Sequence, residues 1–205
     1  MKPFPALALI EYSSVPVGVY ATDEILKKSP ISLIRAGTIG RGRYMTLFAG
    51  STASVEEAHQ EGLFQGGMAV AGDVFLPDIA DALYEGVMGN VRKMGEGPLL
   101  VLETPTVAAC LAATERMLKG VPVELLEIRL GDPRMDGKGL SIVQGELFDV
   151  EAARELAVAS AEEKGIAVQH RILSAPTPFI LQQIGASTRF DRTDTISLEG
   201  ETPEG

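Results

Sequence analysis

The sequence predicts an α+β protein of two tandem domains. Each has the order β-α-β-β-α-β, with both helices on one face of an antiparallel sheet. Three observations predict it. First, the stretch ALIEYSSVPVGVYATDEILKKSPISL, Ala8 to Leu33, returns as LVLETPTVAACLAATERMLKGVPVEL, Leu100 to Leu125, at a constant offset of 92 residues, as from Glu11 to Glu103. Second, GRYMTLFAG from Gly42 matches GKGLSIVQG from Gly137 at an offset of 95, so the repeat runs on with a slightly longer loop in the second copy. Third, within each copy short apolar runs alternate with longer amphipathic ones, the pattern of strands alternating with helices.

The elements follow in order. Ala6 to Ile10 is short, apolar and closed by a polar turn, which is a buried strand. Ser13 and Ser14 offer an N-cap, and Pro16 suits the first turn of a helix running to about Lys28. Val15, Val19, Thr22 and Leu26 share one face of that helix, with Ile25 beside it, and Pro30 stops it. Ile31 to Arg35 is the next strand, AGTIGRGR from Ala36 to Arg43 a glycine-rich loop, and Tyr44 to Ala49 the returning strand. Ser51 or Ser54 caps a helix through about Gly62, Ala69 to Phe75 is a further strand, and Pro77 to Met88 forms a short helix. The second copy gives strand 99–103, helix 106–119, strand 123–130, loop 131–139, strand 140–144, helix 149–163 and strand 166–173.

The first domain therefore spans residues 1–90 and the second 98–185, joined through the polar segment Gly89 to Gly97. Residues 186–205 read as a loosely attached acidic tail. With both helices on one side, this ferredoxin-like arrangement leaves the other sheet face open, available as an interface or binding surface.

A net charge of −10 argues against nucleic acid, whose phosphates need a basic face, and against an anionic membrane surface. The apolar run at the amino terminus is too short for a signal peptide or a span and ends at Glu11, so a cytoplasmic protein is expected. One cysteine, Cys110, excludes an intrachain disulfide; it falls in a helix of small apolar residues and reads as a buried structural thiol. His59 and His170 have no partner at metal or triad spacing and read as surface or edge residues. Glu11 and Glu103 close matching strands. Their repetition fits a structural hydrogen-bond role better than paired-carboxylate catalysis. No cofactor and no metal is expected. The loop Gly37-Thr38-Ile39-Gly40-Arg41-Gly42 lacks the spacing of a phosphate cradle and does not lead into a helix; by itself it is a hairpin turn.

LIEY and VLET at the first strands, ATDEILKK and ATERMLKG in the first helices, and GTIGRGR at the hairpin tip, in this order and repeated, resemble a tandem-domain bacterial microcompartment shell protein of the non-permuted, trimeric pseudohexamer type. The resemblance covers about residues 6–180. It implies the bacterial microcompartment fold and a homotrimer in which six similar domains form a pseudohexagonal tile. Tiles of this and other shell proteins would join into a shell in the cytoplasm, with a central pore passing small metabolites and no bond chemistry. It places Thr38, Ile39, Gly40, Arg41 and Gly42 at the pore, with Arg134, Met135 and Asp136 facing the same axis from the second copy. Asp132 and Asp136 would offset Arg41 and Arg134 there. Lys27 and Lys119, at matching helix positions, go to the tile edge, although the arginine between prolines that usually partners them is absent. Some relatives hold an iron–sulfur cluster on the axis through a cysteine in the first hairpin loop; here that place is Gly40, so no cluster is expected. The alternative from another class is a ferredoxin-like regulatory oligomer binding a small ligand between subunits.

Overall fold

The computed structural model describes residues 3–89, 95–186, 188–193 and 195. The first domain runs β1 (Ala6–Tyr12), α1 (Val15–Lys28), β2 (Leu33–Ile39), β3 (Arg43–Gly50), α2 (Thr52–Gly66), β4 (Val70–Leu76) and α3 (Asp81–Val87). The second repeats it as β5 (Leu99–Thr104), α4 (Val107–Gly120), β6 (Glu124–Arg129), β7 (Gly139–Gln144), α5 (Leu147–Glu162), β8 (Gln169–Leu173) and α6 (Pro178–Ala186). The sheets are ordered β2-β3-β1-β4 and β6-β7-β5-β8, with every pairing antiparallel.

Local chemistry explains the helix starts. Ser51 Oγ accepts the Ser54 N–H at 3.2 Å and Thr106 Oγ1 the Ala109 N–H at 3.2 Å, side-chain caps on otherwise orphaned donors. Helix α2 continues past Gly62 to Gly66, four residues beyond the sequence expectation. A Cβ on Gly62 would lie 2.5 Å from Ile10 Cδ1, so this glycine lets the helix settle closely on the sheet rather than ending it. Conversely, Ala36–Ile39 are strand, not loop, and the turn shrinks to Gly40–Gly42. In the second copy, Gly165 at φ +68 ends the turn after α5, and β8 begins only at Gln169.

Helices α1 and α2 cover one face of the first sheet, with Ala6, Ala8, Ile10, Tyr12 and Phe48 packed against Ala21, Ile25, Val55 and Ala58. The buried stripe of α1 is Gly18, Ala21, Thr22 and Ile25. The expected core face is thus only partly right: Val19 and Leu26 point outward, 51% and 50% exposed.

The other sheet face is not open. In the first domain Leu7, Leu9, Leu47, Val74 and Leu76 are buried in one cluster with Leu83 and Tyr84 of α3 and with Val107 and Leu111 of α4. Helix α4 is therefore held between its own sheet and the face of the first sheet opposite α1 and α2. In the second domain, α6 covers the corresponding face, Leu181 and Ile184 packing on Leu99, Leu126 and Ile142.

Residues after α6 are also tied down where the structure describes them. Thr188 bonds Glu127 and Arg129, Arg189 donates to Asp132 at 2.9 Å, and Arg134 pairs with Asp191. The expected loose tail is thus attached at its start; residues 196–205 lie outside the described residues, as do 90–94 of the expected linker.

Candidate functional site

The two hairpin loops, distant in sequence, meet. The first turns at Gly40–Gly42, with Arg41 at φ 64 and Gly42 at φ 66. The second turns at Pro133–Met135 and leaves through Asp136 at φ 54 and Gly137 at φ 78. Gly40 itself has no positive φ. A Cβ there would stand 2.7 Å from Asp136 Cα and 2.8 Å from Gly137 N, both backbone, so Gly40 is needed for the close approach of the loops. Within its own chain Gly40 thus faces the second loop.

Across this contact Arg41 Nε donates to Asp136 Oδ2. Arg134, expected to be offset by Asp132 or Asp136, instead pairs with Asp191. Asp132 is buried and committed elsewhere: it accepts the Arg134 N–H at 3.0 Å and the Arg189 Nε–H at 2.9 Å, with Arg129 Nη1 at 3.6 Å. Burial pushes its carboxyl up, but that N–H and the guanidinium of Arg189 outweigh burial and hold it below the ordinary carboxylate range. Thr38, Arg41, Gly42, Arg134 and Asp136 are exposed and Met135 partly so. Ile39 is buried, close to Gly131 of the second domain.

Beside the loops lies the seam between domains. Glu11 is fully buried, and its Oε1 accepts the Ala108 N–H, in the first turn of α4, at 2.7 Å. Arg43 Nη1 stands 3.5 Å from Oε2, an ion-pair distance without hydrogen-bond geometry, so Oε2 has no hydrogen bond. Burial raises the Glu11 carboxyl to about 7, against the lowering effects of the Ala108 N–H and Arg43. Its counterpart Glu103 is half-buried and bonds Lys138 at 2.7 Å. Helix α4 is also gripped further along: Glu115 accepts the Ala80 N–H at 3.0 Å, and Lys119 donates to the Asp78 carbonyl while pairing with Glu115 at 2.7 Å.

Lys27 and Lys119 thus share a helix position but not an environment. Lys119 is bound into the seam. Lys27 is exposed and pairs only along its own helix, with Asp23 at 2.5 Å and Glu24 at 2.9 Å. His59 corrects the surface expectation: it is buried, 3.1 Å from Asp73 and stacked on Phe75 at 5.8 Å. Its hydrogen bond holds Asp73 below the carboxylate range despite partial burial. No spacing rule signals this pair, because a helix and a strand bring it together. Cys110 is buried and its thiol pushed up to about 12 by burial, an inert group. Among the described residues, no helix is long and apolar enough to cross a membrane.

Comparison with known proteins places this geometry. The BMC domain family matches residues 6–78 and again 99–176. The bacterial microcompartment shell protein PduT of Citrobacter freundii is 27% identical over 179 residues, 87% of this chain and 97% of that one. A microcompartments protein from Desulfitobacterium hafniense DCB superposes with a TM-score of 0.73 at 24% identity, covering 86% of this chain and 98% of that chain. A double ringed trimeric shell protein of the RMM microcompartment gives 0.54 at 16% identity, over 75% and 81%. Likenesses at such identities speak for the fold, and the twofold family match speaks for descent: the chain belongs to the BMC domain family, with two copies of the domain in tandem.

Proposed function

We propose that the protein is a structural tile of a bacterial microcompartment shell in the cytoplasm: a homotrimer of six similar domains, joined edge to edge with other shell proteins and doing no bond chemistry. One observation carries the trimer. Helix α4 buries Ala108, Leu111 and Glu115 against the first domain, to 2%, 0% and 7% exposure. The same positions on α1 are Pro16, Val19 and Asp23, all exposed, with Tyr20 beside them at 55%. The surface that grips α4 includes Glu11 and Gly72; at its counterpart on the second domain, Glu103 is only half-buried, on Lys138, and Gln169 is exposed. A surface and its complement left unmatched at opposite ends of a chain join head to tail, and three chains close a ring of six domains without forming a filament.

In such a ring the paired hairpin loops line the centre. Thr38, Gly40, Arg41, Gly42, Arg134, Met135 and Asp136 form the rim around a pore for small metabolites, and Ile39 packs behind it. Because Arg41 and Arg134 are each matched by a carboxylate, this rim carries little net charge. Lys27 and Lys119 lie toward the tile edge. Native mass spectrometry tests the assembly: three chains are expected, and a stable monomer or dimer refutes it. Negative-stain microscopy at high concentration tests the tiling, with extended sheets as the expected result.

A further inference from the structure

The face of the first sheet opposite α1 and α2 is buried at its centre but not where β2 and β3 run toward the hairpin turn. There a cleft of about 400 Å³ opens between that face, α3 and the turn after β6. Its floor is apolar: Ile39, Met45 and Leu47 from the first domain, Ile128 and Leu130 from the second. Arg35, Thr38 and Arg189 reach its walls, and among the described residues no Asp or Glu lines it, in a chain of net charge −10. Arg189 is occupied by Asp132 at 2.9 Å. Arg35 has no hydrogen-bond or ion-pair partner among the described residues.

An arginine left unpaired above an apolar floor has the chemistry of half a recognition site. Its planar fork fits a carboxylate through two parallel hydrogen bonds. One uncompensated positive charge suits a monoanion. The volume sits at the small end of the range for ligand sites, which limits the rest of the molecule to a short apolar chain. We propose that this cleft binds a short-chain organic monocarboxylate, its carboxylate on Arg35 and its chain on Ile39, Leu47 and Ile128. Thr38 and Ile39 belong both to the cleft and to the strand that feeds the Gly40–Gly42 turn, so the ligand lies beside that turn. Linking the site to passage through a pore rests on the rim reading above. The binding does not, since one chain supplies every wall.

The test is saturation-transfer NMR on the full-length protein titrated with butyrate, with 1-butanol and inorganic phosphate as competitors. Saturable transfer to the butyrate chain is expected. Arg35→Gln weakens it about tenfold, the worth of a charge-assisted hydrogen bond. Gly37→Glu, which sets a carboxylate on the same face of the edge strand as Arg35, in open space, weakens it similarly, and Lys28→Gln on the far side of the sheet leaves it unchanged. No saturable transfer, equal binding by Arg35→Gln, or displacement by butanol or phosphate at concentrations equal to butyrate would each overturn the proposal. Native mass spectra of the same samples read the assembly separately. A monomer that still binds butyrate defeats the trimer and leaves the site standing.

Discussion

Glu11 of the first domain accepts a hydrogen bond from the Ala108 N–H of the second at 2.7 Å, and no water-exposed surface remains on its carboxylate. A buried acid at a domain seam makes the seam sensitive to pH. In the unfolded chain this carboxyl titrates near 4.5 and in the folded protein near 7. The folded state therefore holds the proton more tightly. Stability from this group is full below about 4.5 and falls as pH rises toward 7, by on the order of 3 kcal/mol.

Glu11→Gln removes the titration while keeping an acceptor for Ala108. Urea unfolding at pH 5 and pH 8 should show the wild type losing more stability than the variant across that interval. An identical pH dependence in the two proteins would mean that Glu11 stays ionised throughout.

Gly37 and Gly40 separate the two uses of glycine in this loop. Neither has a positive φ; a Cβ on Gly37 meets nothing within 4 Å, whereas one on Gly40 strikes the Asp136 backbone. Gly37→Ala should therefore leave the melting temperature unchanged or slightly raised, and Gly40→Ala should lower it by several degrees, the effect of roughly 1–3 kcal/mol of overpacking.

The order of elements was legible because each copy of the repeat corroborates the other: a weak strand signal at Ile31 gains from its partner at Val123. Contacts between the copies were not. Nothing in VPVGVYATDEIL says that Val19 faces outward while the matching Leu111 is buried, because the difference is made by the neighbouring domain and not by the helix. The His59–Asp73 pair and the Arg134–Asp191 pair were hidden likewise, each joining residues that only the fold brings together. Helix α6 was missed because its apolar residues Leu181 and Ile184 follow the prolines 176 and 178, which read as loop.

The first domain should not stand alone. Leu7, Leu9, Leu47 and Leu76 are buried in a cluster that the second domain completes, and a buried leucine contributes roughly 1.5–3 kcal/mol. A fragment ending before β5 loses α4 and exposes part of this face. Its circular dichroism melt should be broad or absent where the full chain unfolds cooperatively. A sharp transition in the fragment would show that α3 alone suffices to cover the face.

Lys27 and Lys119 should respond differently to one substitution. Lys119→Asp sets a second carboxylate against Glu115 and an acceptor against the Asp78 carbonyl oxygen in the seam, so it should reduce stability by more than 1 kcal/mol. Lys27→Asp acts on an exposed residue with only surface pairs, which contribute little to folding. It should leave melting and trimer intact and abolish extended sheets under the microscope. Sheets formed by Lys27→Asp as readily as by the wild type would remove that residue from the tile edge.

The sharpest test of the ring compares Val19 with Leu111. They occupy the same turn of the same helix in the two copies, and differ in that Leu111 is covered by the chain's own first domain while Val19 is 51% exposed. If the chains close head to tail, a neighbour's second domain covers Val19 as the first domain covers Leu111. Aspartate at either position then places a carboxylate in an apolar contact without a partner. At Leu111 the contact is within the chain, so the chain itself should fail, losing more than roughly 4 kcal/mol and unfolding or aggregating. At Val19 the contact is between chains, so Val19→Asp should give a folded monomer with an undiminished circular dichroism spectrum. Tyr20→Asp, one residue along the same exposed face, should do the same. Sedimentation velocity separates the cases. A Val19→Asp protein that remains a trimer would mean that α1 faces solvent in the assembly, and the ring would have to close through some other surface.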